Sequence, residues 1–444
     1  MPTSETAHPF LAAPHRTVLT LSVPVLISLI AEPLTGLVDT AFVARLGSVS
    51  LSALGVGTMA LSSIFWIFNF LGIGSQTEIS QSQGRGEIDA AQRISSLAIL
   101  LGIIFGLGLV AIGFGAAPTA ARLMGADGPI HDQAVLYMQI RLLGAPAVLT
   151  TVSAFGALRG LMDMRTPLRI AISLNLMNIA LDALLIFGWG PVPAMGVAGA
   201  AAASAASQWF GALWAIAAVY RRLGMARQIR LREIKKLLIV GSELFMRTGL
   251  LILFLILATR AATKIGPDAG AAHQAIRQVW VFTNFILDAL AITAQSLVGF
   301  FVGAQRIAQA RRVATVVCAW SMGLGIALTL AMWGGRHLVA AIFVPQSALA
   351  LFMPAWLTAA AIQPVSALCF ATDGIHWGAG DFRFLRNAVA LSTASGAAAL
   401  AWIDMSAESA LTQIWLVVAG WIVIRALFGM LRIWPGIGQA PLRC

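Results

Sequence analysis

Apolar stretches follow one another along nearly the whole chain with few interruptions: from Thr17 to Ala44 the only charged side chains are Glu32 and Asp39. Lipid offers no hydrogen bonds to a backbone, so segments this apolar must close their amide bonds internally as helices. A transmembrane helix needs about 20 mainly apolar residues. A chain of 444 residues, 59% hydrophobic and 11% charged, therefore has room for about a dozen crossings and little else. The expected fold class is an all-α integral membrane protein with about twelve transmembrane helices. Breaks at charge, glycine and proline place them roughly at 17–44, 52–82, 94–116, 131–159, 168–188, 195–220, 236–263, 272–303, 313–333, 347–373, 384–403 and 411–432.

The net charge of +11 does not point to nucleic acid, because no basic stripe with interleaved aromatics is present. The cations instead sort by loop, as orientation signals do. With the N-terminus inside, the cytoplasmic segments hold Arg16, Arg85, Arg93, Arg159, Arg165, Arg169, the run from Arg221 to Lys236, Arg306, Arg311, Arg312, Arg383, Arg386, Arg432 and Arg443. Only Arg45, Arg122, Lys264 and Arg336 fall on the opposite side. Both termini are then expected in the cytoplasm, and the first helix is expected to be retained, since no cleavage motif follows it. The sequence has no Gly-Lys dipeptide, no H-E-x-x-H and no G-x-S-x-G, so no enzyme class is supported. Cys318, Cys369 and Cys444 lack paired spacing, which predicts neither a metal site nor a disulfide framework.

The two halves repeat. Leu46-Gly47 recurs as Ile265-Gly266, Gln76 as Gln295, Gly84 as Gly303, and Ala91 and Arg93 as Ala310 and Arg312, all at a shift of 219 residues. The stretch from Gly160 through Asp163 to Arg165 recurs from Gly378 through Asp381 to Arg383 at a shift of 218. Equal sidedness of the matched loops requires two six-helix bundles related as parallel repeats. The expected division is an N-lobe over 1–225, a basic cytoplasmic linker over 226–236 containing Arg227, and a C-lobe over 237–444.

A charge at the bilayer centre costs at least about 2.5–3.5 kcal/mol, so acids inside helices are candidate sites. They are Glu32, Asp39, Glu78, Asp182 and Asp288, of which Glu78 reads rather as a solvated helix end, since Gly84 and Arg85 mark the cytosol nearby. Asn175, Asn178 and Asp182 lie at i, i+3 and i+7, on one helical face. Oxygen from Asn178 beside Asp182 suits a proton or a hard cation such as Na+. Ser204, in the small-residue helix from Met195, is a further oxygen donor, with a packing role as the alternative. Glu32 and Asp39 share a face of the first helix, where Pro24 and Pro33 permit a kink. At the repeat-related positions stand Ala258 for Asp39 and Leu400 for Asp182, so these acids are private to the N-lobe. Asn284, Asp288 and Gln295 in the C-lobe, with Asn69 and Gln76 in the N-lobe, read as cavity lining or as interhelical polar packing. Glu243 and Arg247 are spaced as an i,i+4 ion pair.

On these residues the chain resembles the multidrug and toxic compound extrusion (MATE) transporters, and more narrowly their prokaryotic DinF-like branch. The resemblance rests on Val38-Asp39-Thr40-Ala41-Phe42-Val43-Ala44-Arg45-Leu46-Gly47, Arg159-Gly160 through Pro167, Asn178 to Gly188, Met195 to Gly199, Ala272-His273-Gln274 and Asp373 through Asp381. It implies a monomer in the prokaryotic inner membrane, solvated by membrane lipids, that exports drug-like and often cationic small molecules by antiport against H+ or Na+. No other cofactor is implied. By position Asp39, Asn178, Asp182 and Ser204 correspond to the family's N-lobe coupling site, Ser204 standing where threonine is common and Glu32 where glutamine is common. A lipid or lipid-linked oligosaccharide flippase of the same superfamily is the alternative, although such proteins carry basic rather than acidic cavities.

Overall fold

The computed structural model describes residues 8–226, 228 and 230–443; Arg227 and Cys444 lie outside the described residues. Among the described residues the chain is almost wholly helical, the exception being an isolated bridge between Trp189 and Val192. A short α1 (Pro9–Ala12) precedes α2 (Pro14–Ala44), α3 (Ser48–Ile67), α4 (Phe70–Arg85), α5 (Ile88–Leu123), α6 (Gly128–Leu142), α7 (Ala145–Gly160), α8 (Arg165–Phe187) and α9 (Val197–Leu223). There follow α10 (Leu231–Ile265), α11 (Pro267–Gly303), α12 (Ile307–Phe343), α13 (Leu349–Ala361), α14 (Gln363–Ala379), α15 (Phe382–Ala401) and α16 (Ala410–Ile433). Among the described residues nine spans are long and apolar enough to cross a membrane, or eleven when the bent pairs α6–α7 and α13–α14 each count as one; α15 lies at the expected segment 384–403 but is not one of these spans.

Helices run past the boundaries that apolar runs suggest. α5 covers Ile88–Leu123 and α12 Ile307–Phe343, where 94–116 and 313–333 are expected, because a helix continues through interfacial arginines whose stems lie along it and whose heads reach water. The connection after α9 is likewise shorter than the expected 226–236 linker, since α10 begins at Leu231. Its first turns are fixed by ion pairs, Glu233 with Arg93 at 2.8 Å and Lys236 with Glu78 at 2.6 Å. Glu78 is thus buried and paired rather than solvated.

The described residues form two compact units, Ile27–Gly241 and a second one made of Ser242 onward together with the residues up to Leu26. The beginning of α2 therefore groups differently from the expected N-lobe of 1–225; Ser22 Oγ, for example, donates to Thr293 Oγ1 at 2.9 Å. In the unit Ile27–Gly241 one core gathers Leu71, Leu97, Leu149 and Leu158, and another Val43, Leu54, Tyr137 and Ile186. The other unit is built on larger rings, Trp280, Trp356, Trp415 and Trp421 with Phe254, the last two stacked at 4.5 Å.

The duplication is visible in contacts that only glycine permits. A Cβ on Gly156 of α7 would lie 2.3 Å from the Gly72 carbonyl oxygen on α4, and one on Gly374 of α14 would lie 2.2 Å from that of Ala291 on α11. A Cβ on Gly106 would lie 2.3 Å from Pro146 Cα, and one on Gly325 would lie 2.6 Å from Pro364 Cα. A Cβ on Gly160 would lie 2.9 Å from the Gln76 carbonyl oxygen, and one on Gly378 would lie 2.5 Å from that of Gln295. Each pair is related by the shifts of 219 and 218 found in the sequence. The bends recur too: α6–α7 turns by 48° just before Pro146 and α13–α14 by 45° just before Pro364, where the missing amide donor opens the helix.

Equivalent loops are closed by equivalent ion pairs. Asp163 binds Arg222 at 3.1 Å and Asp381 binds Arg432 at 2.8 Å. Burial pushes the Asp381 carboxyl up, but His376 and Arg432 outweigh it and hold the group below its ordinary value near 3.8. A depressed carboxylate stabilises fully above that ordinary value and loses its contribution as pH falls through the lower folded one. Asp381→Asn is expected to cost about 2 kcal/mol at pH 7 and to flatten this acid limb in melts of the detergent-solubilised protein; a variant equal to wild type at pH 7 would make the pair dispensable.

Candidate functional site

The unit Ile27–Gly241 brings four of the sequence-selected residues together. Asp39 arrives on α2, Asn178 and Asp182 one turn apart on α8, and Ser204 on α9. Helix α9 can approach α8 because it opens on Val-Ala-Gly-Ala-Ala-Ala-Ala, a surface without bulk that lets backbones come close; a Cβ on Gly199 would lie 2.4 Å from the Leu185 carbonyl oxygen. The Asn178 amide satisfies most partners when Nδ2 donates to Asp39 Oδ1 at 3.1 Å and Oδ1 accepts from the Ser204 backbone N–H at 3.3 Å. The reversed amide instead donates to Ser204 Oγ at 3.3 Å. Donor and acceptor complementarity favours the first orientation.

Asp182 has 0% exposure, and neither of its oxygens has a protein donor. What it faces within hydrogen-bonding reach is the Asp39 carboxylate. Two acceptors at that range hold together only through something positive between them, a shared proton or a small cation. Asp39 is half-buried, so it is the member of the pair that meets the accessible surface, with Asp182 behind it.

One group that sequence reasoning passed over belongs here. Arg141, in the last turn of α6, is within electrostatic reach of Glu32, Asp39 and Asp182. Its Nε and Nη1 are buried without a hydrogen-bond partner. It sits just before the α6–α7 bend, at a helix C-terminus that favours a cation. The signal was present, since an arginine inside the expected helix 131–159 bears the same insertion cost that singled out the acids. Its charge offsets that of Glu32, which is exposed along the same helix as Asp39.

The other candidates disperse. Asn175 is half-buried one turn before Asn178 on α8, and Asn69 is half-buried at the α3–α4 break. Gln76 and Gln295 are buried at the tight helix crossings described above, in equivalent places of the two units. Asn284 and Asp288 are half-buried on α11, in the other unit. Pro24 and Pro33 both lie inside the continuous helix α2. The i,i+4 pairing of Glu243 with Arg247 is not formed. Glu243 instead binds Arg386 at 2.5 Å and Arg383 at 3.4 Å, while Arg247 binds Asp373; helix α10 presents the two side chains to different neighbours, and tertiary partners outcompete a surface-type pair.

The MatE family model matches residues 24–184 and 245–403, one segment in each repeat. The protein DETOXIFICATION 44, chloroplastic, of Arabidopsis thaliana is 30% identical over 383 residues, 83% of this chain and 72% of the relative. The DNA damage-inducible protein F of Escherichia coli K12 is 26% identical across 96% of this chain and 93% of its own. Among solved structures, the outward-facing conformation of a multidrug resistance MATE family transporter of the MOP superfamily superposes with a TM-score of 0.87 at 19% identity, covering 96% of this chain and 97% of that one.

Proposed function

Because this chain belongs to the MatE family of membrane transporters, we propose that it is a secondary active exporter of bulky, often cationic organic compounds, coupled to protons through the Asp39–Asp182 pair. The reading is carried by one observation, the buried Asp182 carboxylate that faces Asp39 and no protein donor. A proton between the two makes their contact a hydrogen bond and removes one of the two negative charges that hold a cationic passenger, and a second proton removes the other. Their departure restores both charges, so passenger and protons compete for one site and exchange follows. Asn178 steadies Asp39 in the ionised form by donating to it. Arg141 and Glu32 offset one another, which leaves two carboxylates to be neutralised.

Sodium is the second reading, favoured by the all-oxygen donor set of Asp39, Asp182, Asn178 and Ser204. A lipid flippase is the weaker one: the relatives are named for detoxification and multidrug resistance, and the N-terminal unit gathers acids. Efflux of a cationic dye from proteoliposomes, driven separately by a pH gradient and a sodium gradient, tests the reading. Proton-driven efflux without sodium is expected. Efflux driven by sodium alone would transfer the coupling role to Na+, and none under either gradient would refute antiport.

A further inference from the structure

In the unit that follows Ser242, two buried guanidinium groups converge on one carboxylate. Arg247 on α10, Asp373 on α14 and Arg425 on α16 are 6%, 4% and 9% exposed. Both arginines donate through Nη2 to the same oxygen, Asp373 Oδ2, Arg425 at 2.7 Å and Arg247 in a closer contact. Each also lies over an indole, Arg247 at 5.1 Å from the Trp377 ring and Arg425 at 4.7 Å from that of Trp421. The Nε of each is buried with no hydrogen-bond partner.

The cluster therefore encloses one uncompensated positive charge and two unused N–H donors. Unmet donors and unpaired charges are the costly features of an interior, and neither the scaffold nor the coupling site accounts for them. The repeat-related positions are Ser28 for Arg247 and Phe155 for Asp373, so the same helical frame stands without these charges in the other unit. Asp39 and Asp182 belong to that other unit.

We infer that Arg247 and Arg425 form a binding site for a small monovalent anion, a halide or a carboxylate, with Asp373 as the resident group that orders the arginines. One negative charge brings the cluster to neutrality. A doubly charged phosphate overshoots it and would leave a buried negative charge instead. The free Nε–H groups supply the donors that a halide or a carboxylate oxygen needs, and each guanidinium is backed by an indole.

The inference concerns binding, so it can fail without touching the transport reading. Thermal unfolding and calorimetric titration of the purified full-length protein, kept in sulfate, would be followed with added chloride, formate or phosphate. Chloride or formate is expected to bind saturably and raise Tm, whichever responds identifying the ligand, while phosphate does not. Arg247→Gln and Arg425→Gln are expected to weaken binding at least about tenfold. Asp373→Asn is expected to tighten it by at least about tenfold, because the competing charge is gone; this opposite sign keeps the test valid even where an arginine variant fails to fold. Equal, unsaturable responses to all three salts, or weaker binding by Asp373→Asn, would overturn the site.

Discussion

Proteoliposomes holding Asp39→Asn are expected to lose gradient-driven dye efflux by at least about tenfold while the variant is produced and folds like wild type. Asparagine keeps the shape and one acceptor of aspartate, so packing around α2 survives, but it cannot take up and release a proton. Asp182→Asn should do the same. The double variant should be no worse than either single one, because the two carboxylates act as one unit and their losses do not add. Dye binding should fall with efflux in Asp39→Asn, since the charge that attracts the passenger is the charge removed. A variant that transported at the wild-type rate would take Asp39 out of the mechanism, and the half-buried position of this side chain would then need another explanation.

A second large effect is expected on stability. Gly156→Val should unfold or fail to insert, since its Cβ alone would lie 2.3 Å from the Gly72 carbonyl and 2.5 Å from Ser75 Oγ. The Gly72 carbonyl and Cα are backbone of helix α4, which cannot yield as a side chain would, so the cost reaches or exceeds the roughly 1–3 kcal/mol of ordinary overpacking. Gly374→Val is the matched case in the other unit, against the Ala291 carbonyl at 2.2 Å. Gly108→Ala is the control: nothing lies within 4 Å of its Cβ position, and alanine favours the helix by about 1 kcal/mol. Melts in detergent that ranked all three alike would show that these close crossings do not hold the units together.

Much of this was legible because the bilayer is an unforgiving solvent. Runs of apolar residues can only be helices there, and acids such as Asp39 and Asp182 stand out because each bears an insertion cost. Their helical spacing put Asn178 and Asp182 on one face before any coordinate did. Arg141 was missed for want of the same reasoning applied to a cation. Glu243 and Arg247 were mispaired because i,i+4 spacing records proximity on one helix and says nothing of the neighbours that compete for each side chain. The ends of α5, α10 and α12 were misplaced because charge marks the edge of the lipid, where helices do not have to stop.

The order of polar and apolar residues alone determined that the chain is helical, membrane-embedded and duplicated, since backbone hydrogen bonding in lipid and a constant shift between matched residues need no coordinates. Tertiary structure alone decided which buried charges face which. Asp39 meets Asp182 from another helix, Arg141 reaches them from a third, and Asp373 is shared by arginines more than a hundred residues apart in the chain. Such pairings are set by how helices cross, and the crossings are set by where glycine lets two backbones touch.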